Sequence, residues 1–374
     1  MFLFGALIFF LNFYLIDFFS LSRGYALSSA FLTLSVAFLI KSYIDRNDIL
    51  QWFGFLCAIL SSYANFTSLV YLISACIAFV VYFVFVNNPR KKVITWNNLL
   101  FLLVSAGYGL LIITPIIKMK QDDQFKYWTS NGFINDTMVS TVNCFKYASP
   151  NLEQIDSFHL SIAIISLVFF ILFFWIYRIL KHRYLTQALK NPIFLSNSLI
   201  LITALISIAN CIFTNTPYLN ARTALFFYPM FSMLICSILS SLNKTSVLLQ
   251  LLCGYLILCF AVSHFKKAYR SDRVSEWWFD EKTLEIVKIL RDDAQCKKIK
   301  LGTYWLFNSS FQFYSQTGKL NDVELSSYDK EPDFNADVDY YYVMWDDIDK
   351  FKNKYYIIAS FNNNERHLLK RLNN

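Results

Sequence analysis

Charged residues are scarce in this sequence. Asp, Glu, Lys and Arg make up 16% of its 374 residues, whereas 56% are hydrophobic and 18% are aromatic. A typical soluble domain carries about 25% charged residues. The composition therefore argues against a soluble protein and indicates an integral membrane protein.

Motifs for metals, redox chemistry and nucleotides are missing as well. The sequence holds no CxxC pair and no HExxH motif, and its four histidines are scattered. Gly302 and Gly318 are isolated, so they form no glycine-rich phosphate loop. The sequence identifies no cofactor and no metal ligands, and it leaves dependence on a divalent metal open.

The net charge of +8 falls on one part of the chain. Residues 1–263 contain 16 Lys and Arg against 8 Asp and Glu, whereas residues 264–374 contain 18 of each class. Basic cytoplasmic loops produce such an excess in membrane proteins, so we predict no nucleic-acid partner. We expect two domains, a multi-span transmembrane domain over 1–263 and a small domain over 264–374.

Most of the eight cysteines fall inside apolar runs, where a thiol behaves as a small hydrophobic group. Cys144 and Cys296 lie outside these runs. The sequence leaves open whether they form a disulfide, which requires that both face an oxidising compartment, or remain structural thiols.

Apolar runs predict an α-helical polytopic membrane protein of about nine spans, because a helical span needs about 20 mainly apolar residues. The runs are 1–16, 26–40, 49–62, 66–86, 98–117, 160–177, 193–213, 224–241 and 246–263. The polar stretch 61–65 divides 49–86, which is too long for one span, into two.

Basic loops predict the orientation, because Lys and Arg mark cytoplasmic loops. The loops around 41–46, 90–92, 178–183 and 244 fall on one side if the spans alternate. The amino terminus is then inside, and the outside holds 17–25, 65, 118–158, 214–223 and the C-terminal domain. A bacterial inner membrane is the expected location.

The start of the chain is unusual for a first span. Met1 opens directly in apolar sequence, and no basic residue precedes Arg23. Neither a signal peptide's basic region nor an inside anchor is present. We therefore expect two further spans upstream.

The tail has the pattern of a small extracytoplasmic α/β domain. The sequence predicts a helix over 277–296, a strand over 298–305, a short helix over 307–314, a strand over 339–345, a turn or helix over 346–352 and a strand over 355–361.

The predicted spans carry no charged residue or histidine in their middle. Such groups mark ion-coupled transporters and channels, so a transporter or flippase is disfavoured. Chemistry is expected at the outer face. The polar residues gathered there are Asp17, Arg23, Tyr25, Asn65, Thr67, Trp128, Asp136, Thr137, Tyr218, Asn220 and Arg222.

Each candidate also has a structural explanation. Arg23 and Arg222 could clamp phosphate oxygens with their planar forks, or they could snorkel to lipid phosphates. Asp17 could pair with Arg23, and Asp136 could cap a helix that begins near residue 137. Trp128 could stack on a sugar or anchor the chain at the membrane interface.

Four segments resemble bacterial polytopic C-type glycosyltransferases of the protein O-mannosyltransferase superfamily. They are DFFSLSRGY (17–25), YANFT (63–67), WTSNGFINDT (128–137) and PYLNARTALFFYP (217–229). The resemblance covers most of the membrane part. It implies transfer of a sugar from a polyprenyl-phosphate carrier in the lipid bilayer to an extracytoplasmic acceptor.

In that chemistry a carboxylate takes the acceptor's proton, while cations stabilise the departing phosphate. Arg23 and Arg222 fit the second role, and Tyr25, Asn65, Trp128 and Tyr218 are expected to contact the substrate. The family's principal acid lies in a first outer loop that we expect this chain to lack. Asp17 and Asp136 are the remaining candidate catalytic carboxylates. A truncated, inactive transferase or a noncatalytic membrane scaffold or assembly protein is therefore the alternative.

Overall fold

The computed structural model describes residues 12–20, 24–87, 96–122, 131–146, 154–182, 185–241, 247–268, 281–294, 298–320, 322–329, 331–332, 337–361 and 365–372. Its contacts divide the chain into two compact units, Met1–Tyr269 and Arg270–Asn374. Within the described ranges, the first unit is helical and the second combines helices with one mixed sheet.

The first unit is built from eleven described α-helices. They are α1 Phe13–Ser20, α2 Tyr25–Asp45, α3 Asp48–Ala64, α4 Leu69–Val81, α5 Trp96–Gln121, α6 Ser140–Lys146, α7 Ser157–His182, α8 Leu185–Ala188, α9 Pro192–Thr214, α10 Phe227–Ser241 and α11 Val247–Ala268. Short 3₁₀ turns at Phe66–Ser68 and Ala221–Ala224 and π-helical turns at Tyr82–Asn87 and Ile134–Val139 complete the described helical backbone.

Several of these helices are suited to a bilayer. Five helical segments of the described chain are long and apolar enough to cross one, namely Tyr25–Asp45, Phe66–Val86, Leu99–Gln121, Ser157–Lys181 and Pro192–Thr214. Three shorter apolar helices are Asp48–Ala64, Phe227–Ser241 and Gly254–Ser263. The helices are therefore compatible with an integral membrane protein. Residues 1–11 of the predicted run 1–16 lie outside the described residues, and residues 13–16 belong to α1.

Apolar side chains cover the outside of the first unit, and hydroxyl groups lie inside it. Leu110 on α5 is 73% exposed and Phe170 on α7 is 68% exposed. Inside, Ser35 Oγ donates to the carbonyl oxygen of Gly54 over 2.6 Å. Ser28 Oγ lies 3.1 Å from Ser61 Oγ. This arrangement suits helices in lipid, where small polar residues allow close approach and bond across the contact.

The polar stretch 61–65 separates two helices, as the sequence predicts. α3 ends at Ala64, and Asn65 has extended backbone. The Asn65 side-chain oxygen accepts hydrogen bonds from the Thr67 backbone N–H (3.1 Å) and hydroxyl (3.0 Å). An asparagine in this position starts the next helical turn, which explains the break.

Two predicted outer loops contain more helix than expected. α1 continues through Asp17 to Ser20, so the expected turn 17–25 begins later. The expected loop 118–158 contains helical backbone from Phe133 to Lys146. Met138 and Val142 lie buried on one side of this segment. Because this segment mixes polar and apolar residues, it contains no long charge-free apolar run, and the sequence pattern did not predict it as a helix.

The second unit is a five-stranded sheet with helices. Its elements are α12 Thr283–Ala294, β1 Ile299–Tyr304, α13 Trp305–Gln316, β2 Val323–Tyr328, β3 Tyr340–Met344, α14 Ile348–Phe351, β4 Tyr355–Phe361 and β5 Arg366–Arg371. The strand order is β2-β1-β3-β5-β4. β1 runs parallel to both β2 and β3, whereas β5 is antiparallel to β3 and β4.

The sequence analysis missed two of the five strands. β2 reads VELSSY and β5 reads RHLLKR, and neither shows a simple apolar pattern. β2 is an edge strand with mainly partly buried or exposed residues. β5 lies between two strands, and its neighbours bury residues that look like surface residues in the sequence, including Arg366.

The glycine before α2 fixes the contact between α2 and α3. Gly24 has a φ of +76°, and a Cβ atom added there would lie 2.2 Å from the backbone oxygen of Ala64. We expect Gly24→Ala to destabilise the protein by at least about 2 kcal/mol, since both the φ angle and the clash oppose a side chain. Thermal unfolding in detergent micelles measures the loss.

Gly107→Ala on α5 is the matched control, because a Cβ atom there meets nothing within 4 Å. It should leave the unfolding temperature unchanged or slightly raise it. Equal stability of the two variants would contradict the close contact at Gly24.

Candidate functional site

Most of the predicted site residues that the structure describes lie at one end of the helical unit. This end contains the beginnings of α2 and α10, the ends of α3 and α9, and the helical segment 133–146. Three basic residues, Arg46, Arg178 and Lys181, lie at the other ends of α2 and α7. The connectivity therefore separates the polar candidates from these cations.

Three hydrogen bonds tie segment 133–146 to the loop after α9 and to the start of α10. Thr137 Oγ1 donates to the Leu219 carbonyl oxygen over 2.6 Å. The Ala221 N–H donates to Ser140 Oγ over 2.9 Å, and the Tyr228 hydroxyl donates to the Thr141 carbonyl oxygen over 2.8 Å. Residues more than 80 positions apart in the chain are thus held in one structure.

These bonds fix the backbone on which Arg222 sits. Arg222 is half-buried in the turn Ala221–Ala224, which begins with a reciprocal capping box between Asn220 and Thr223. Ala221 has a positive φ of 41°, a conformation that costs an alanine about 1 kcal/mol. The surrounding hydrogen bonds hold this strained turn, so the Arg222 side chain starts from a defined position.

Asp136 closes the turn that leads into segment 133–146. Its Oδ2 atom accepts hydrogen bonds from the backbone N–H groups of Asn131 (2.7 Å) and Gly132 (3.2 Å). The helical backbone begins at Phe133. Asp136 therefore does not cap a helix beginning near residue 137, because its carboxylate bonds backwards to residues before the helix.

Tyr218 joins Asp136 at this place. Its ring lies 6.1 Å from the ring of Phe133, edge to face. Desolvation, the Cys211 thiol and the Asp136 carboxylate all raise the pKa of the Tyr218 hydroxyl. The Tyr218 hydroxyl therefore stays protonated near the Asp136 carboxylate at neutral pH.

Tyr25 and Asn65 meet at a second place. Both line a small cavity with Ser28, Thr67 and Phe226 among their neighbours. The cavity measures about 10 Å³, which is room for about one water molecule and not for a sugar ring. In this structure, the two residues shape a polar junction next to the loop that carries Arg222.

Asp17 lies in the interior, with 5% of its surface exposed. Its neighbour Phe18 packs edge to face on Tyr25 at 5.1 Å. This burial leaves an acceptor molecule little access to the Asp17 carboxylate. Arg23 and Trp128 lie outside the described residues.

An apolar cavity of about 540 Å³ adjoins the Asp136 turn. Segment 131–138 forms its rim, and α7, α9 and α10 form its walls. Wall residues are almost all apolar, and they include Val168, Ile200, Ala204, Leu205, Ile208 and Phe231. Sequence analysis missed this cavity, because its wall residues look like any other residues of an apolar span.

Lys146 is another group that sequence analysis missed. It is 8% exposed at the end of α6, and its Nζ donates to Ser157 Oγ over 2.8 Å and to the Ile155 carbonyl oxygen. Ser157 is the first residue of α7. Lys146 therefore holds the start of a cavity-wall helix against segment 133–146.

Metal ligands do not cluster in the part of the chain that the structure describes: it contains no group of three or more His, Cys, Asp or Glu side chains placed to hold an ion. Cys144 is buried on α6, and Cys296 lies outside the described residues.

Comparison with known proteins finds no matching family model, no matching curated protein and no matching solved structure.

The Ser140 hydroxyl can be tested by substitution: it accepts the Ala221 N–H and donates to the Thr137 carbonyl oxygen of its own segment over 3.0 Å. Ser140→Ala removes the acceptor of the Ala221 N–H, so the strained turn loses about 1 kcal/mol of support. Amides of residues 221–226 should exchange with deuterium about five-fold faster. Ser161→Ala is the control, since Ser161 Oγ donates to the Ser157 carbonyl oxygen within α7, away from the turn 221–224. Unchanged exchange in Ser140→Ala would show that this bond does not hold the turn.

Proposed function

We propose that this chain is a membrane glycosyltransferase that moves a sugar from a polyprenyl-phosphate carrier to an acceptor. The proposal includes about nine spans, the amino terminus inside, the C-terminal domain outside, and a reaction at the outer face of a bacterial inner membrane. Basic residues at the ends of α2 and α7, opposite the candidate site, support this orientation.

The apolar cavity beside Asp136 is the observation that carries the proposal. An isoprenoid chain needs a groove lined by apolar side chains, with polar groups at one end for the phosphate and sugar. The cavity of about 540 Å³ offers such walls. Its rim segment carries Asp136 and is bonded through Thr137 and Ser140 to the turn that carries Arg222.

The proposed reaction assigns a role to each group. The acceptor's hydroxyl oxygen attacks the anomeric carbon, and the bond from that carbon to the phosphate oxygen breaks with its electron pair going to the phosphate. Asp136 takes the hydroxyl proton as general base. Arg222 stabilises the negative charge on the departing lipid phosphate, and Tyr218 orients the sugar.

A noncatalytic membrane scaffold is the second candidate function. It is favoured by one observation, the use of Asp136 Oδ2 as an acceptor for two backbone N–H groups. A carboxylate with that role stabilises a turn whether or not it performs chemistry. The two candidate functions differ in the role of Asp136. A transferase needs its negative charge for the reaction, whereas a scaffold needs the side chain only to stabilise the turn.

Filling the cavity tests the carrier site. Ala204 lies in the cavity wall, and Ala204→Phe should lower binding of undecaprenyl phosphate at least ten-fold, because the ring occupies the space of the lipid chain. Native mass spectrometry of the detergent-solubilised chain measures the bound fraction. Ala163→Phe is the control, since Ala163 is an exposed residue of α7 that does not line the cavity. Equal binding by both variants would remove the cavity from the proposal.

Replacing Asp136 and Arg222 tests the chemistry. Asp136→Asn keeps an oxygen that can accept the backbone N–H groups but cannot act as base, so the transfer rate should fall about 10²–10⁴-fold with the fold intact. Arg222→Lys should weaken donor use, since lysine lacks the bidentate fork. Sugar transfer from a panel of polyprenyl-phosphate hexoses is the assay.

Asp122→Asn is the control for charge removal, since Asp122 is exposed after the end of α5. It should transfer sugar at the normal rate. Full activity in Asp136→Asn would exclude Asp136 as base. Absence of transfer by the unaltered chain with every donor in the panel would favour the scaffold.

A further inference from the structure

The C-terminal unit exposes two tryptophans at one end of its sheet, where strands β1 and β3 stop. Trp305 directly follows β1 and is 51% exposed, and Trp345 directly follows β3 and is 62% exposed. β1 and β3 are parallel neighbours in which Thr303 pairs with Tyr342. The register therefore brings both indoles to the carboxyl ends of two adjacent strands.

The chain leaves these two strands toward opposite faces of the sheet. After β1, α13 packs Phe307 in the same core as Tyr342. After β3, α14 packs Phe351 in the other core, with Tyr341. Tyr341 and Tyr342 are consecutive residues of one strand, so they point to opposite faces.

Where the connections of two neighbouring parallel strands diverge in this way, a crevice forms beyond the strand ends. In sheets with parallel strands, ligands bind at the point where neighbouring strands send their connections to opposite faces. β2 lies on one side of β1 and β3 lies on the other, which makes the boundary between β1 and β3 that point. Trp305 and Trp345 are the first residues beyond the ends of these two strands.

The polar groups near the carboxyl ends of β1 and β3 are mainly acceptors of hydrogen bonds. Asp346 is exposed next to Trp345. Asp347 accepts the Tyr328 hydroxyl over 3.0 Å and pairs with Lys350 at 2.9 Å. Asn308 lies three residues after Trp305 on α13, which places it on the same face of that helix.

We propose that the crevice between β1 and β3 is a carbohydrate-binding site. Pyranose rings have apolar faces that stack on indoles and hydroxyl groups that donate to carboxylates. Both partners are present, as Trp305 with Trp345 and as Asp346. The exposed Asp346 carboxylate repels phosphate groups, which disfavours nucleic acid and an anionic lipid surface as occupants.

This inference stands apart from the transfer reaction, because it concerns binding by a different unit of the chain. A sugar-binding tail would suit the proposed transferase by holding a glycan acceptor. It would equally suit a noncatalytic envelope protein. Carbohydrate binding and sugar transfer are measured in separate experiments. A negative result in one experiment therefore does not contradict the proposal that the other one tests.

Saturation-transfer NMR on the full chain in detergent tests the site, with mannotriose, chitotriose and maltotriose as probes. At least one trisaccharide should bind, with the largest transfer to its ring protons. Trp345→Ala and the double variant Trp305→Ala with Trp345→Ala should weaken that binding about five-fold or more. Asp346→Asn, a surface change that leaves the indoles in place, should weaken it as well.

Phe313→Ala is the matched control, because Phe313 is a 59% exposed aromatic residue of the same helix as Trp305. It should bind the trisaccharide normally. The proposal would be overturned if none of the three trisaccharides bound at a concentration about 10-fold above a millimolar dissociation constant. Normal binding by the double variant would overturn it as well.

A lipid surface is the competing occupant. In nanodiscs with brominated phospholipid, indoles buried at the membrane interface are quenched. The loss of fluorescence should be the same fraction in the unaltered chain and in the Trp305→Phe, Trp345→Phe variant. A larger loss in the unaltered chain would place the two indoles in the bilayer and overturn carbohydrate binding.

Discussion

Within a bilayer core, backbone polar groups must find their hydrogen-bond partners inside the protein. The first unit meets this constraint with helices whose outer surfaces are apolar and whose contacts use buried hydroxyl groups. Ser35 bonding to the Gly54 carbonyl and Ser28 lying against Ser61 are examples. Because the helices approach closely through such small residues, their ends are brought near enough to build a site.

Irregular backbone is concentrated where the polar candidates meet. Gly24 and Ala221 have positive φ angles, and both lie next to candidate residues. Thr137 and Ser140 supply side-chain bonds that secure the loop carrying Arg222. The proposed transferase thus combines a rigid apolar groove for lipid with a fixed polar rim, as catalysis by positioned groups requires.

The second unit follows different physics, because its strands bury apolar faces beneath helices in the manner of a water-soluble domain. Its two aromatic cores lie on opposite faces of one sheet. Trp305 and Trp345 are among the large side chains that stay exposed. Their position at the ends of two parallel strands is the basis of the proposed carbohydrate site.

The sequence by itself determined the class of each unit and the approximate helices. Apolar runs and charge balance are local properties, so they marked the helical unit and the mixed α/β tail. They also placed most of the helices and three of the five strands. Polar residues flanking apolar runs placed Asp136, Tyr218 and Arg222 near helix ends, and hydrogen bonds of Thr137 and Ser140 join the segments that carry them.

Only the tertiary structure decided what those residues contact. Asp136 bonds backward to Asn131 and Gly132, Asp17 is buried, and β5 becomes an interior strand because of its neighbours. The apolar cavity is lined by residues that are distant in the chain, and Trp305 and Trp345 come from two strands that are likewise distant in the chain. No local pattern encodes them, because their chemistry depends on which faces meet after the helices and strands have packed.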